Sequence, residues 1–252
     1  MLAPVLAETT SYPRISPANA SAMIRTDRGA LEDRLANGSI RKLGVKEHLF
    51  LEGDPKTHVY KVEAGTVLIY KILSDSKRQI IDIAFPGDHI GLGSIGAHAF
   101  NAQATESVSV RCLSVGALHQ LAAQDPQIAF KLYQALAHEL DAARNHLLTI
   151  GYRDASGRLA SFLLALTKRN ERHGQDATEF VLPMRRADIG DFLGLTIETV
   201  SRTFSKLKAD GVIDLDQGGY VRICNHAALE KIALGMQGAR LDMRGSIQPQ
   251  MA

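Results

Sequence analysis

Residues 185–211 read RRADIGDFLGLTIETVSRTFSKLKADG, and their spacing predicts two short helices packed across a tight turn. Helices that cross steeply need a small residue at the crossing, which Gly190 supplies. Four positions later the turn favours glycine, where a left-handed backbone costs little, and that residue is Gly194. Val200 then provides an inward, branched side chain on the second helix. Ile189, Leu193, Leu195, Ile197 and Phe204 are expected to complete a three-sided core, with Thr196 capping the second helix.

With those residues turned inward, Glu198, Thr199, Ser201, Arg202 and Lys206 fall toward the outer face of the second helix. In a DNA major groove an arginine can fork onto guanine O6 and N7, and a glutamate can accept from cytosine N4. Arg185 and Arg186, at the start of the first helix, are placed for backbone phosphates, and Thr196, Thr199 and Lys206 are assigned the same role. The run GVIDLDQGGYVRI follows, two β-like stretches around Gln217-Gly218-Gly219 that predict a hairpin or wing. Charge alone would leave a merely solvated helix, because Phe180 to Arg222 holds six basic and six acidic residues. Placement argues for DNA: the two glycines and Val200 stand at the required intervals and a hairpin follows.

Upstream, EFVLP reads as a strand and ASGRLASFLLALTKRNERHG as a helix ending in a basic turn and Gly174. Before a break after Tyr152 lies a helix of about seven turns, opened by Asp125 as N-cap and Pro126 at its first position. Placing Tyr133, Leu140 and Leu147 at heptad position a puts Ala129, Leu136, Ala143 and Ile150 at d, while Lys131, Glu139, Asp141 and Arg144 fall outside the seam. A helix packed on its own domain would also carry an apolar stripe. A strict 3.5-residue repeat over three heptads favours a two-helix seam, hence a symmetric dimer.

SVGALHQLAAQ precedes it as a short capped helix. From Ser39 to Leu113 the chain is a series of short β-like runs, such as HVYKVEAGTVLIYKI, punctuated by Gly53-Asp54, Ala64-Gly65 and Pro86-Gly87-Asp88. That texture suggests a sandwich or barrel. A helical pattern spans Asn19 to Leu35, and the two ends are patternless. The expected organisation is a flexible tail over 1–21, a β-roll domain over 22–124, a dimerisation helix over 125–152, a winged helix-turn-helix over 153–234 and a second tail over 235–252.

The 252 residues are 45% hydrophobic and 22% charged, which excludes wholesale disorder. The longest apolar run, Phe162 to Leu166, is too short for a membrane span. Met1 to Ala7 is broken by Pro4 and has no basic residue before Arg14, unlike a secretory signal. Two cysteines, Cys112 and Cys224, exclude a disulfide framework, a four-cysteine zinc site and a cysteine-held iron–sulfur cluster within one chain. A reducing, cytoplasmic setting is expected. Lys and Arg exceed Asp and Glu by 29 − 27 = 2, so bulk charge neither demands nor forbids nucleic acid.

From Ser39 to Leu234 the arrangement resembles the CRP/FNR family of bacterial transcription regulators, an α+β fold with an N-terminal, cyclic-nucleotide-binding-like β-roll (jelly-roll) domain, a long dimerisation helix and a C-terminal winged helix-turn-helix. RADIGDFLGLTIETVSRTFSKLKADGVI is very similar to the FNR and FixK branch, and FPGDHIGLGSIGAHAFNAQATESVSVRCLSV resembles its sensor core. In that branch a Glu-x-x-Ser-Arg pattern reads TTGA half-sites of a palindrome, and here it falls on Glu198, Ser201 and Arg202. The resemblance also implies a homodimeric activator of low-oxygen or nitrogen-fixation genes. It implies RNA polymerase as a partner, with the loop Ser74 to Gln79 as the contact.

The departures carry information too. Cyclic-AMP-binding relatives have Gly-Glu, then an arginine that pairs with the cyclic phosphate. Here the chain reads Gly87-Asp88 and Asn101-Ala102-Gln103-Ala104, with no arginine between Arg78 and Arg111. Cyclic nucleotide binding is therefore not expected. Cys112 resembles the β-domain cysteine of cluster-bearing FNR proteins, but no cysteine precedes it, so it is expected to be a buried strand residue. Cys224 is expected to be structural, with redox modulation as the alternative. No cofactor and no metal are expected. His89 and His98 flank the effector region, and gating by haem or an unidentified small effector is the alternative form of control. An enzymatic, cupin-like reading fails because no His-x-His pair exists.

Overall fold

The computed structural model describes residues 38–235, Ser94 and Gln217 apart. The expected tails and the helical pattern from Asn19 to Leu35 lie outside the described residues.

Eight strands build the N-terminal roll: β1 (Ser39–Leu43), β2 (His48–Phe50), β3 (His58–Ala64), β4 (Val67–Ile72), β5 (Arg78–Ala84), β6 (His89–Ile90), β7 (Asn101–Ala104) and β8 (Val108–Ser114). They form two antiparallel sheets in the orders β1-β8-β3-β6 and β2-β7-β4-β5. Side-chain period sets what each strand buries. In β3, Tyr60 and Val62 enter the space between the sheets with Val67, Ala102 and Val110, whereas Val59 points the other way, onto Leu113, Leu118 and Ile128. The start of β3 is thus buried on both faces. The turn into β4 depends on Gly65: its φ is 78°, and a Cβ there would stand 2.6 Å from the Ser107 carbonyl oxygen.

Three helices follow: α1 (Val115–Gln124), α2 (Pro126–Tyr152) and α3 (Ala155–Arg172). Each starts on a side-chain cap, Ser114 for α1, Asp125 for α2 and Asp154 for α3, and α2 also has proline in its first turn. The C-terminal unit adds β9 (Glu179–Val181), α4 (Arg186–Leu193), α5 (Ile197–Ala209), β10 (Ile213–Leu215), β11 (Tyr220–Ile223) and α6 (His226–Ala233). The strands form one sheet, β10-β11-β9. Helix α6 was not among the expected elements. Asn225 caps it by accepting from the Ala228 N–H at 2.9 Å, and Leu229, Ile232 and Ala233 bury one face.

Besides the roll's own inter-sheet core, one apolar cluster is shared by the two halves. Leu68, Tyr70, Ile80 and Ile83 of β4 and β5 belong to the same apolar cluster as Leu159, Leu163, Ile189, Val200, Phe204 and Leu229. Cys112 on β8 is only partly buried, and burial pushes its thiol pKa up. Cys224 is exposed.

Candidate nucleic-acid interface

The helix-turn-helix is built by close backbone approach. A Cβ at Gly190 would lie 2.7 Å from the Leu195 carbonyl oxygen, so only glycine lets α4 meet the segment leading into α5. Gly194 ends α4 with φ 64°, in the left-handed region. The Leu195 N–H donates to the Gly190 carbonyl at 2.9 Å and closes the turn. Arg158 of α3 holds the same turn from outside: Nη1 donates to the carbonyls of Leu193 (3.0 Å) and Gly194 (3.3 Å), and Nε to that of Arg153 (2.9 Å). Gly190→Ala should therefore destabilise the protein by about 1–3 kcal/mol through overpacking, read as a shifted urea midpoint with an unchanged slope.

Helix α5 separates its faces as the spacing predicts. Val200, Thr203, Phe204 and Leu207 are buried, while Glu198, Ser201, Arg202 and Lys206 are exposed and Thr199 is partly so. Thr196 caps α5, accepting from the Thr199 N–H at 3.2 Å, and its hydroxyl sits 3.1 Å from that of Thr199. Arg202 Nη2 reaches the Thr199 hydroxyl at 3.5 Å. Glu198 is held below the usual carboxylate range by hydrogen bonds from its own backbone N–H and from the Thr196 hydroxyl. The outer face thus offers a carboxylate, two hydroxyls and a guanidinium within little more than one turn.

Two expectations need correction. Ile197 is not a core residue; it is 46% exposed, because the first residue after the cap projects past the turn. Arg186 does not share the outward position of Arg185. Its guanidinium carbon stands 3.3 Å from the Phe204 ring centroid, and Nη1 is buried without a hydrogen-bond partner. Burial lowers its pKa. A planar cation stacked on an aromatic face is a stable alternative to solvent. Arg185 is exposed at the N-cap of α4.

The wing pairs Ile213 with Ile223 and Leu215 with Val221. Lys208 fastens it to α5, donating to the Leu215 carbonyl at 2.6 Å and pairing with Asp214 at 2.8 Å.

The heptad positions on α2 are largely uncovered in the single chain. Tyr133, Leu136, Leu140 and Leu147 are 67%, 39%, 51% and 68% exposed, Ala129 and Ala143 are exposed, and Ile150 is partly buried. Among the described residues of α2 only Ile128 is fully buried. Phe130, Leu148 and Tyr152 are exposed as well, outside the heptad stripe. His146, which is not a stripe position, stacks its ring on Phe192 of α4, with centroids 4.2 Å apart.

In the roll, Asn101 opens the arginine-free run Asn101-Ala102-Gln103-Ala104. It is buried, and its amide is spent on main chain: Oδ1 accepts from the Glu52 N–H at 3.1 Å and Nδ2 donates to the Tyr70 carbonyl at 3.4 Å. Asp88 turns back to accept from the Phe85 N–H at 2.9 Å. His98 is buried with its ring flat on Phe50, centroids 3.5 Å apart, and burial lowers its pKa. His89 lies on β6, in register with Lys61. The loop Ser74 to Gln79 is divided. Asp75 and Lys77 pair at 2.9 Å on the exposed tip, whereas Arg78 and Gln79 are engaged with α4.

Residues 157–232 match the Crp-like helix-turn-helix domain family, and residues 40–125 match the cyclic nucleotide-binding domain family. The chain is 37% identical over 187 residues to the nitrogen fixation regulation protein FixK of Bradyrhizobium diazoefficiens, covering 74% of this chain and 78% of that protein. It is 33% identical over 240 residues to the FixK protein of Azorhizobium caulinodans, covering 92% and 95%. Among solved structures, FixK2 from Bradyrhizobium japonicum is similar with a TM-score of 0.73 and 37% identity, covering 77% of this chain and 96% of that one.

Proposed function

Since the chain belongs to the CRP/FNR family of DNA-binding transcription regulators, which are not enzymes, we propose that it acts as a homodimeric activator reading TTGA-N6-TCAA-like palindromes without an iron–sulfur cluster, haem or cyclic AMP. One observation carries the base readout. Glu198, Ser201 and Arg202 stand together on the outer face of a helix whose other face is fixed in the core. Arg202 forks onto the half-site guanine, Glu198 accepts from the cytosine of the opposite strand, and Ser201 contacts the same step. Arg185, Thr196, Thr199 and Lys206 hold phosphates, fixing register without carrying sequence information. Arg186, stacked on Phe204, supports this set from behind.

The exposed stripe on α2 supports pairing of two copies, which places two α5 helices on successive major-groove faces, about one helical turn apart. An effector-free state is supported by Asn101, whose amide is already committed to main-chain partners, and by the absence of an arginine from Gln79 to Val110. The exposed tip at Asp75 and Lys77 is the polymerase contact, in the neighbourhood of low-oxygen and nitrogen-fixation promoters that the FixK likeness suggests.

Purified protein titrated into a palindromic duplex should bind equally in air and under argon, with cyclic AMP making no difference and the preparation colourless. Visible absorbance from a cluster or haem, or binding that waits for cyclic AMP, would overturn effector-free control. Absence of preference for the palindrome over scrambled DNA would overturn the readout.

A further inference from the structure

Strand β5 reaches across to the DNA-reading unit. Arg78 Nε donates to Asp191 Oδ2 at 2.7 Å and Nη2 to Asp188 Oδ1, both carboxylates on α4. The next residue, Gln79, donates from Nε2 to the Asp191 carbonyl at 2.6 Å and to the Ile80 carbonyl at 3.0 Å. The Arg78 guanidinium also lies 5.7 Å from the Tyr70 ring centroid. The side chains of Arg78, Asp188 and Asp191 are 27%, 15% and 33% exposed, so solvent screens this trio only partly. Asp188 is held a second time, accepting from the Arg185 N–H at 3.3 Å, and this contact ties the trio to the start of α4.

We propose that Arg78 is a positioning residue through which the β-roll sets the pose of α4, and with it α5, for operator recognition. The chemistry is specific to arginine, because a guanidinium presents separate N–H groups in fixed directions and can serve two carboxylates at once, whereas an ammonium is a point charge on a flexible stem. The hydrophobic packing of Ile80 and Ile83 in the cluster shared with α4 is non-directional. The Arg78 fork supplies the direction. It also neutralises carboxylates on the helix whose start carries Arg185. The final step, from pose to operator affinity, rests on the base-reading assignment above.

The test uses the full chain carrying Arg78→Ala, Arg78→Lys or the pair Asp188→Asn with Asp191→Asn. Hydrogen exchange of the α4 amides is followed without DNA, and binding is measured to a TTGAT-N4-ATCAA duplex and to a scrambled duplex across a salt series. Arg78→Ala should speed exchange in α4 and weaken operator binding roughly tenfold, within the usual range of coupling between sites, while scrambled DNA loses much less. Arg78→Lys should recover part of the operator preference. If Arg78→Ala does not fold, the paired asparagine variant answers instead: exchange in α4 rises, operator preference falls, and scrambled-DNA binding strengthens. Equal change on operator and scrambled DNA would reduce the fork to a charge effect and overturn the proposal, as would α4 exchange left at the wild-type rate. Should the wild-type protein itself not prefer the operator, the base-reading assignment fails, and the α4 exchange rates alone decide whether the fork holds the helix.

Discussion

Replacing Arg202 with alanine should lower affinity for a TTGAT-N4-ATCAA duplex by about 2–6 kcal/mol, since one good base contact is worth about 1–3 kcal/mol and a two-fold dimer makes it twice. The loss should be specific. Arg202 is exposed, reaches the Thr199 hydroxyl at the long distance of 3.5 Å and lies near the Glu198 carboxylate, so the fold should survive the change and thermal unfolding should move little. Affinity for random DNA should fall only by one lost charge per subunit. Glu198→Ala should relax preference at one base pair per half-site. Arg185→Ala should weaken all DNA alike and flatten the salt dependence. A binding series on single-base variants at one fixed salt concentration separates these patterns. Full retention of operator preference by Arg202→Ala would mean that α5 is not the reading helix.

Leu140→Asp or Leu147→Asp should split the dimer. On the seam reading, each substitution sets two carboxylates facing one another across the two-fold axis, inside a contact otherwise made by Tyr133, Leu136 and Ala143. Burying unpaired charge costs several kcal/mol, and at about 1.4 kcal/mol per tenfold the dimer dissociation constant should rise at least about a hundredfold. Both leucines are exposed in the single chain, so each monomer should remain folded. Analytical ultracentrifugation at micromolar concentration reads the outcome, and operator binding should fall with the dimer. Wild-type protein that sediments as a monomer would remove α2 as a seam.

The parts that were legible in the sequence are those governed by short-range geometry. Gly190 declares a close backbone approach and Gly194 a left-handed turn, and the Thr196 cap and the inward Val200 and Phe204 follow from helix pitch. What escaped is governed by contacts distant in sequence. Arg186 looks like a phosphate ligand beside Arg185 until Phe204, eighteen positions later, takes its guanidinium. Ile197 looks like core until the turn's direction is known. The role of Arg158 in holding the turn, and of Arg78 in reaching α4, involve partners 35 or more residues away. Helix α6 carries a local signal as well, Asn225 as cap before an apolar Leu229, Ile232, Ala233 stripe.

The cluster that joins β4 and β5 to α3, α4, α5 and α6 bears on how such a protein can be cut and recombined. A chimaera that grafts residues from Ala155 onward onto a foreign roll would lose Leu68, Tyr70, Ile80 and Ile83, leaving Ile189 and its neighbours with an ill-fitting lid. A transplant that carries the β4–β5 hairpin along keeps both sides of that contact. Swapping specificity between relatives of this chain therefore calls for exchanging the outer face of α5 alone, a handful of side chains, in preference to exchanging whole modules. The same coupling restricts drift over generations: a substitution at Ile80 is answerable to α4, so the roll and the helix-turn-helix unit must change in step.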